Sequence, residues 1–178
     1  IRTKVHAIGP GVVSGLLKAV ELAESRYRGL VIWSPADPFS VGADLQAMMP
    51  VFMSGGAKAI GAEEKKMQDA FMRLKYAQVP TVAAVSGMAL GGGCELILHC
   101  SKAVASLESY IGLVGVGVVL IPGAGGLKGG ALLAAQAPAL HDRVILAPHF
   151  AIARVVVGID DLGVFPRREA QAQALEAA

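Results

Sequence analysis

The sequence predicts an α/β fold: a parallel sheet with helices packed outside it. Helical and strand-like patterns alternate along the chain, the strand-like runs are short, apolar and bounded by Gly or Pro, and a glycine triplet follows one of them before the next helix. Strands alternating with helices imply parallel βαβ units whose ligands lie near the carboxyl ends of the strands. In such folds the loops just after the strands are where chemistry is expected.

From Val12 to Tyr27 the positions Val13, Leu16, Leu17, Val20 and Ala23 keep helical spacing, with Lys18, Glu21 and Glu24 left for solvent, so this is an outer helix. Leu30 to Trp33 is a short apolar run between Gly29 and Pro35, which reads as a buried strand feeding a turn over Pro38 to Asp44. Between Gln46 and Gly61 the periodicity breaks down among Met48, Met49, Pro50, Met53, Gly55 and Gly56. A flexible apolar segment, suited to the mobile wall of a pocket, is expected there. Ala62 to Tyr76 returns to helical spacing, with Met67, Ala70, Phe71 and Leu74 on one face. The charges Glu63, Glu64, Lys65, Lys66 and Arg73 fall on others and read as a solvated face.

Thr81 to Val85 is a second strand, followed by Gly91, Gly92 and Gly93, a helix over Cys94 to Cys100, and a strand over Ala103 to Ala105. The glycine turn would place free backbone N–H groups at a helix start, facing a place where negative charge can be held. Glu95 then lies just inside that helix, among Met88, Leu90 and Leu96, where an apolar pocket would raise its pKa toward the range useful for proton transfer. Ser109 to Leu127 is free of charge and long enough for a membrane span, but its clustered glycines and Pro122 read better as a buried strand and loop. Beyond it, Ala131 to Leu140 and Glu169 to Ala178 are helix-prone.

Composition narrows the function classes. With 178 residues, 54% hydrophobic and 17% charged, the chain can bury a sizeable core and is too apolar for disorder. A net charge of +2 without clustered Lys and Arg argues against a nucleic-acid partner. Cys94 and Cys100 sit six apart in one apolar helix and read as two reduced core cysteines. The competing reading is a metal site shared with His99, although zinc favours close Cys or His pairs in loops. The first residues carry no charged-then-apolar signal pattern and Ile1 is not an initiator Met, which suggests a fragment or processed product of a cytoplasmic protein.

Two motifs in order carry a resemblance. Val79 to Gly126 contains VSGMALGGGCELILHC and, later, PGAGG, and upstream Gly29 to Leu45 reads GLVIWSPADPFSVGADL. Together they resemble the crotonase superfamily of enoyl-CoA hydratases and isomerases, and most nearly the hydratase portion of fused hydratase and 3-hydroxyacyl-CoA dehydrogenase proteins of fatty-acid β-oxidation. The resemblance implies the crotonase (ClpP-like) fold, with repeated ββα units, a parallel sheet and helices outside. It is carried by residues 4–128, so that residues 1–130 form the crotonase-like core and residues 131–178 a C-terminal helical part of the same domain, weakly matched and shortened.

The resemblance also implies the chemistry. The substrate would be an acyl-CoA thioester, with coenzyme A arriving as part of it and no separate metal or organic cofactor. The backbone N–H groups of Ala43 and Gly92 would form the oxyanion hole, and Glu95 matches the first of two catalytic glutamates. The second should lie twenty residues later, where this chain has Gly115. Hydration is therefore expected to be impaired, with isomerase or other crotonase chemistry, or a non-catalytic acyl-CoA-binding or assembly role, as alternatives. Glu108 is the nearest other carboxylate on that segment and reads as a solvated loop residue. Ser101 and Val41 also depart from the family pattern without touching a backbone donor. Relatives assemble as trimers or hexamers, and a dehydrogenase domain would lie outside this chain.

Overall fold

The structure, a computed structural model, describes residues 1–114, 123–126 and 152–153. The expected residue 131–178 helices and Gly115 lie outside these. A 3-10 turn, Lys4–His6, leads into helix α1, Pro10–Arg26, whose first residue is a proline with its φ already suited to a helix start. Val20 and Ala23 of α1 are buried as the periodicity predicts.

Strands β1 (Leu30–Trp33), β2 (Thr81–Val85) and β4 (Lys102–Ala105) form one three-stranded parallel sheet with β2 in the middle. Leu30 pairs with Thr81 on one side of β2, and Ala83 with Ala103 on the other. The central strand buries Thr81, Ala83 and Val85. At the edge, β1 is only half covered: Ile32 is buried while Val31 and Trp33 are 60% and 58% exposed, so the expected buried strand is instead an edge strand with one face open.

A second sheet was not legible in the sequence. Strand β3 (Met88–Leu90) pairs in parallel with β5 (Tyr110–Gly112), which pairs antiparallel with β6 (Ile152–Ala153). β5 falls at the start of the strand and loop expected over Ser109 to Leu127, whereas the three residues of β3, between Gly87 and Gly91, leave too little pattern to detect, and β6 makes this sheet mixed where a parallel one was expected.

Helix α2 runs from Leu45 to Lys75 and corrects the expected flexible segment over Gln46 to Gly61. Asp44 caps it, its side chain accepting the Ala47 N–H at 3.0 Å. Pro50 is carried inside the helix, and the Ser54 hydroxyl donates to the Pro50 carbonyl at 2.6 Å. The break that the sequence suggested is confined to Gly56, where φ is +60°, a conformation glycine adopts without steric cost. Among the described residues no helix is long and apolar enough to cross a membrane.

The core forms where α1, α2 and the β1–β2–β4 sheet meet α3 (Gly92–Leu98): Val20, Phe39, Phe71, Leu74 and Leu96 are fully buried there. Fully burying side chains of this size contributes about 1.5–3 kcal/mol each. Cys94 belongs to this core, and Cys100 packs at its edge with its thiol donating to the Leu96 carbonyl at 3.5 Å; burial pushes both thiols up to about 12.

At the surface, α1 and α2 are tied by Arg73, whose guanidinium takes both oxygens of Glu24, while Glu24 also accepts the Gln78 N–H at 2.8 Å. Arg73 and this backbone donor hold the Glu24 carboxyl down at about 2. A depressed carboxyl stabilises the fold above its unfolded value near 4.5 and loses that contribution as pH falls through about 2. Urea unfolding should therefore show Glu24→Gln less stable than the parent at pH 7. The gap should close progressively from pH 4.5 downward; a gap independent of pH would refute the ion pair's contribution.

Candidate active site

The site is built on a loop strapped to a strand. Ser40 is fully buried; its N–H donates to the Met88 carbonyl at 3.1 Å and its carbonyl accepts the Leu90 N–H at 2.9 Å, so the chain beyond β1 runs beside β3. Its hydroxyl donates to the His6 carbonyl at 2.8 Å and accepts the Gly42 N–H at 3.1 Å. One residue thus fixes the loop to β3, to the N-terminal segment and to itself.

Beyond Ser40, Ile8 makes a parallel bridge to Ala43: the Ile8 N–H donates to the Gly42 carbonyl at 2.7 Å and the Asp44 N–H to the Ile8 carbonyl at 3.1 Å. Because successive amides of an extended chain point opposite ways, the Ala43 N–H faces away from Ile8. The β3–α3 turn lies close by. A Cβ on Gly92 would stand 3.4 Å from the Ala43 nitrogen, and a Cβ on Gly42, where φ is +94°, would stand 2.8 Å from the Gly92 nitrogen. Gly92 opens α3, so its N–H has no partner within the helix. The structure thus brings the two predicted amides together at the wall of a cavity of about 420 Å³.

Glu95 lines the same cavity and is only 3% exposed. Its Oε1 accepts the Ala124 N–H at 2.8 Å and the Gly126 N–H at 2.9 Å. Burial raises its pKa above the usual carboxylate range; the two amides and His99 pull the other way, and the nearby Glu64 charge adds to the rise. Protonation at higher pH than a surface glutamate is the result. The Gly123 to Gly126 run is thus the element that holds Glu95 in place, a contact not assigned from the sequence. A Cβ on Gly126 would stand 2.8 Å from Glu95 Cγ, which explains a glycine at that position.

His99 lies behind Glu95, held by one hydrogen bond and one ring contact. Its Nδ1–H donates to the Glu95 carbonyl at 2.7 Å and its ring lies 5.5 Å from that of Phe71. Among the described residues no cluster of His, Cys, Asp and Glu could hold a metal ion.

The apolar wall comes from Met48, Phe52, Ile60 and Met67 of α2, so the expected pocket wall is present but helical. Glu63 and Glu64 line the cavity too, which corrects their reading as part of a wholly solvated face. Ser101 is structural, exchanging backbone and hydroxyl hydrogen bonds with Thr81 at 2.9–3.2 Å. Glu108 is exposed, as expected.

Residues 2–135 match the enoyl-CoA hydratase/isomerase family. The chain is 38% identical over 126 residues to a probable 3-hydroxyacyl-CoA dehydrogenase of Bacillus subtilis, covering 71% of this chain and 16% of that protein. It is 36% identical over 126 residues to the peroxisomal bifunctional enzyme of Cavia porcellus, with 70% and 16% covered. A crystal structure of an enoyl-CoA hydratase from Polaromonas sp. JS666 superposes with a TM-score of 0.65 at 25% identity, over 69% of this chain and 48% of that one. The chain therefore spans about a sixth of the curated relatives and half of the solved structure.

Gly42→Ala should cost about 2–4 kcal/mol in urea unfolding, because its Cβ would meet the Leu90 carbonyl oxygen at 2.7 Å in a backbone conformation that L residues rarely adopt. Loss below about 0.5 kcal/mol would show the two loops to be less tightly joined. Glu95→Gln keeps an acceptor for both amides but cannot ionise. A raised carboxyl loses stability as pH climbs from about 4.5 through its folded value. The variant should gain stability relative to the parent over that rise, and parallel pH profiles would contradict the buried carboxylate.

Proposed function

Because the chain belongs to the enoyl-CoA hydratase/isomerase family, we propose that it binds an acyl-CoA thioester and adds water across the 2,3-double bond. The observation carrying this reading is the convergence of the Ala43 and Gly92 amides with the buried Glu95 on one cavity. Attack of water at C3 moves electrons onto the thioester oxygen as an enolate. Two preorganised N–H donors aimed at that oxygen lower the barrier by several kcal/mol. No cofactor is required, since coenzyme A enters with the substrate.

Hydration needs one proton taken from water and one delivered to C2. Glu95, held by Ala124 and Gly126 and kept protonated to higher pH by burial, is suited to deliver the second. The apolar α2 wall of Met48, Phe52 and Met67 suits the acyl chain. A relative from Rickettsia felis is named a putative fatty acid oxidation complex trifunctional enzyme and the Bacillus subtilis relative a dehydrogenase, which supports β-oxidation as the setting and a dehydrogenase domain beyond this chain as a partner. A cytoplasmic location and a homotrimer or hexamer remain part of this reading; the open β1 face, with Val31 and Trp33 exposed, offers apolar surface for assembly.

Gly115, at the position the resemblance gives to the second glutamate, favours a second reading: isomerase or other crotonase chemistry, or acyl-CoA binding without turnover. Crotonyl-CoA hydration, followed at the enoyl-thioester absorbance, separates them. The parent should turn over, and Glu95→Gln should lose about 10²- to 10⁴-fold in kcat. A silent parent that gains activity as Gly115→Glu would replace hydration with binding or assembly.

A further inference from the structure

We propose that Glu64, on helix α2, is the second carboxylate of this site, taking the proton from the attacking water while Glu95 serves the α-carbon. The proposal rests on the hydratase reading above and concerns a residue of α2, 51 positions before Gly115 in the sequence.

The geometry is as follows. Glu64 and Gln68 are one helical turn apart on the same face of α2, and both reach the Gly123 backbone. The Gln68 side-chain amide donates to the Gly123 carbonyl at 2.6 Å, and the Glu64 carboxylate lies so close to Gly123 that any Cβ there would overlap it. The next amide along, Ala124, donates to Glu95 Oε1 at 2.8 Å. The two carboxylates therefore meet neighbouring residues whose α-carbons stand about 3.8 Å apart, and both line the cavity that holds the Ala43 and Gly92 amides.

The charges around Glu64 single it out. Of the groups on the same stretch of α2, Glu63 is paired with Lys66 at 2.6 Å, and Lys65 is paired with Asp69 on the exposed side. Glu64 is half-buried and, among the described residues, has no hydrogen-bond or ion-pair partner. From α3, the groups facing the pair are Glu95 itself and His99. A carboxylate with free lone pairs lining a cavity can accept a proton from water held there.

The step balances. The water oxygen bonds to C3, its proton passes to the Glu64 carboxylate, and the C2=C3 electron pair shifts to give the enolate held by Ala43 and Gly92. The Glu95 carboxylic acid then protonates C2, restoring the thioester carbonyl. Glu64 finishes protonated and Glu95 ionised, and exchange with solvent resets both.

The test uses the 178-residue chain as parent, with Glu64→Gln, Glu64→Asp and Glu95→Gln. Crotonyl-CoA hydration is measured across pH, together with the titration of the Glu95 carboxyl by carbon-13 NMR. If the inference holds, Glu64→Gln lowers kcat about 10²- to 10³-fold with KM changed less than about threefold. It also abolishes the fall in rate on the acid side and lowers the titration point of Glu95, while Glu64→Asp recovers part of the rate. An active parent whose Glu64→Gln variant keeps its rate and pH profile overturns the role of Glu64 and leaves the hydratase reading standing. An inactive parent overturns the hydratase reading, and the pairing is then decided by NMR: a lowered Glu95 titration in Glu64→Gln supports it, and an unchanged one overturns it.

Discussion

Ser40 commits both of its backbone hydrogen-bonding groups to β3 and its hydroxyl to His6 and Gly42, all without exposure to solvent. Everything at the site depends on this seam. It brings the loop after β1 so close to the β3–α3 turn that Gly42 has no room for a side chain, and a Cβ on Gly93 would stand 2.8 Å from the Ser40 carbonyl oxygen. The close approach sets the Ala43 and Gly92 amides side by side. Their spacing is a property of backbone packing, which is stiffer than any arrangement of side-chain donors could be.

A second constraint follows from burying Glu95 in that seam's lee. A carboxylate removed from water is costly unless its lone pairs are satisfied. The Ala124 and Gly126 amides satisfy one oxygen, Oε1. Desolvation outweighs these donors, so the group holds its proton longer than a surface glutamate while staying fixed in place. Fixed position and raised proton affinity together are what a proton donor requires. Glycines at the positions packed against Glu95 keep the loop's amides within reach of its carboxylate.

Helix α2 joins the apolar wall of the cavity to the surroundings of Glu95. Its apolar side chains line the cavity, and Gln68 grips Gly123, the residue beside one of the two donors to Glu95. The helix begins at its cap, Asp44, which directly follows Ala43, so the loop carrying the Ala43 amide and the pocket wall are consecutive in the chain. A break at Gly56 lets the two halves follow different directions without losing helical hydrogen bonding over long stretches.

By itself the sequence determined the α/β class, the strands Leu30–Trp33 and Thr81–Val85 and the buried face of the Met67 to Leu74 helix, because local periodicity carries that information. Family membership was legible as well, in two ordered motifs. Only the tertiary structure decided that Gln46 to Gly61 is helical, since a capping aspartate and packing over the cavity outweigh a proline and clustered glycines in the local pattern. It alone made Val31 and Trp33 an open face, because coverage of a strand depends on which elements pack against it. It alone turned Glu64 and the Gly123 to Gly126 loop toward Glu95, because these meet across 31 and 28 or more residues of chain, and no periodicity along a sequence encodes contacts at that range.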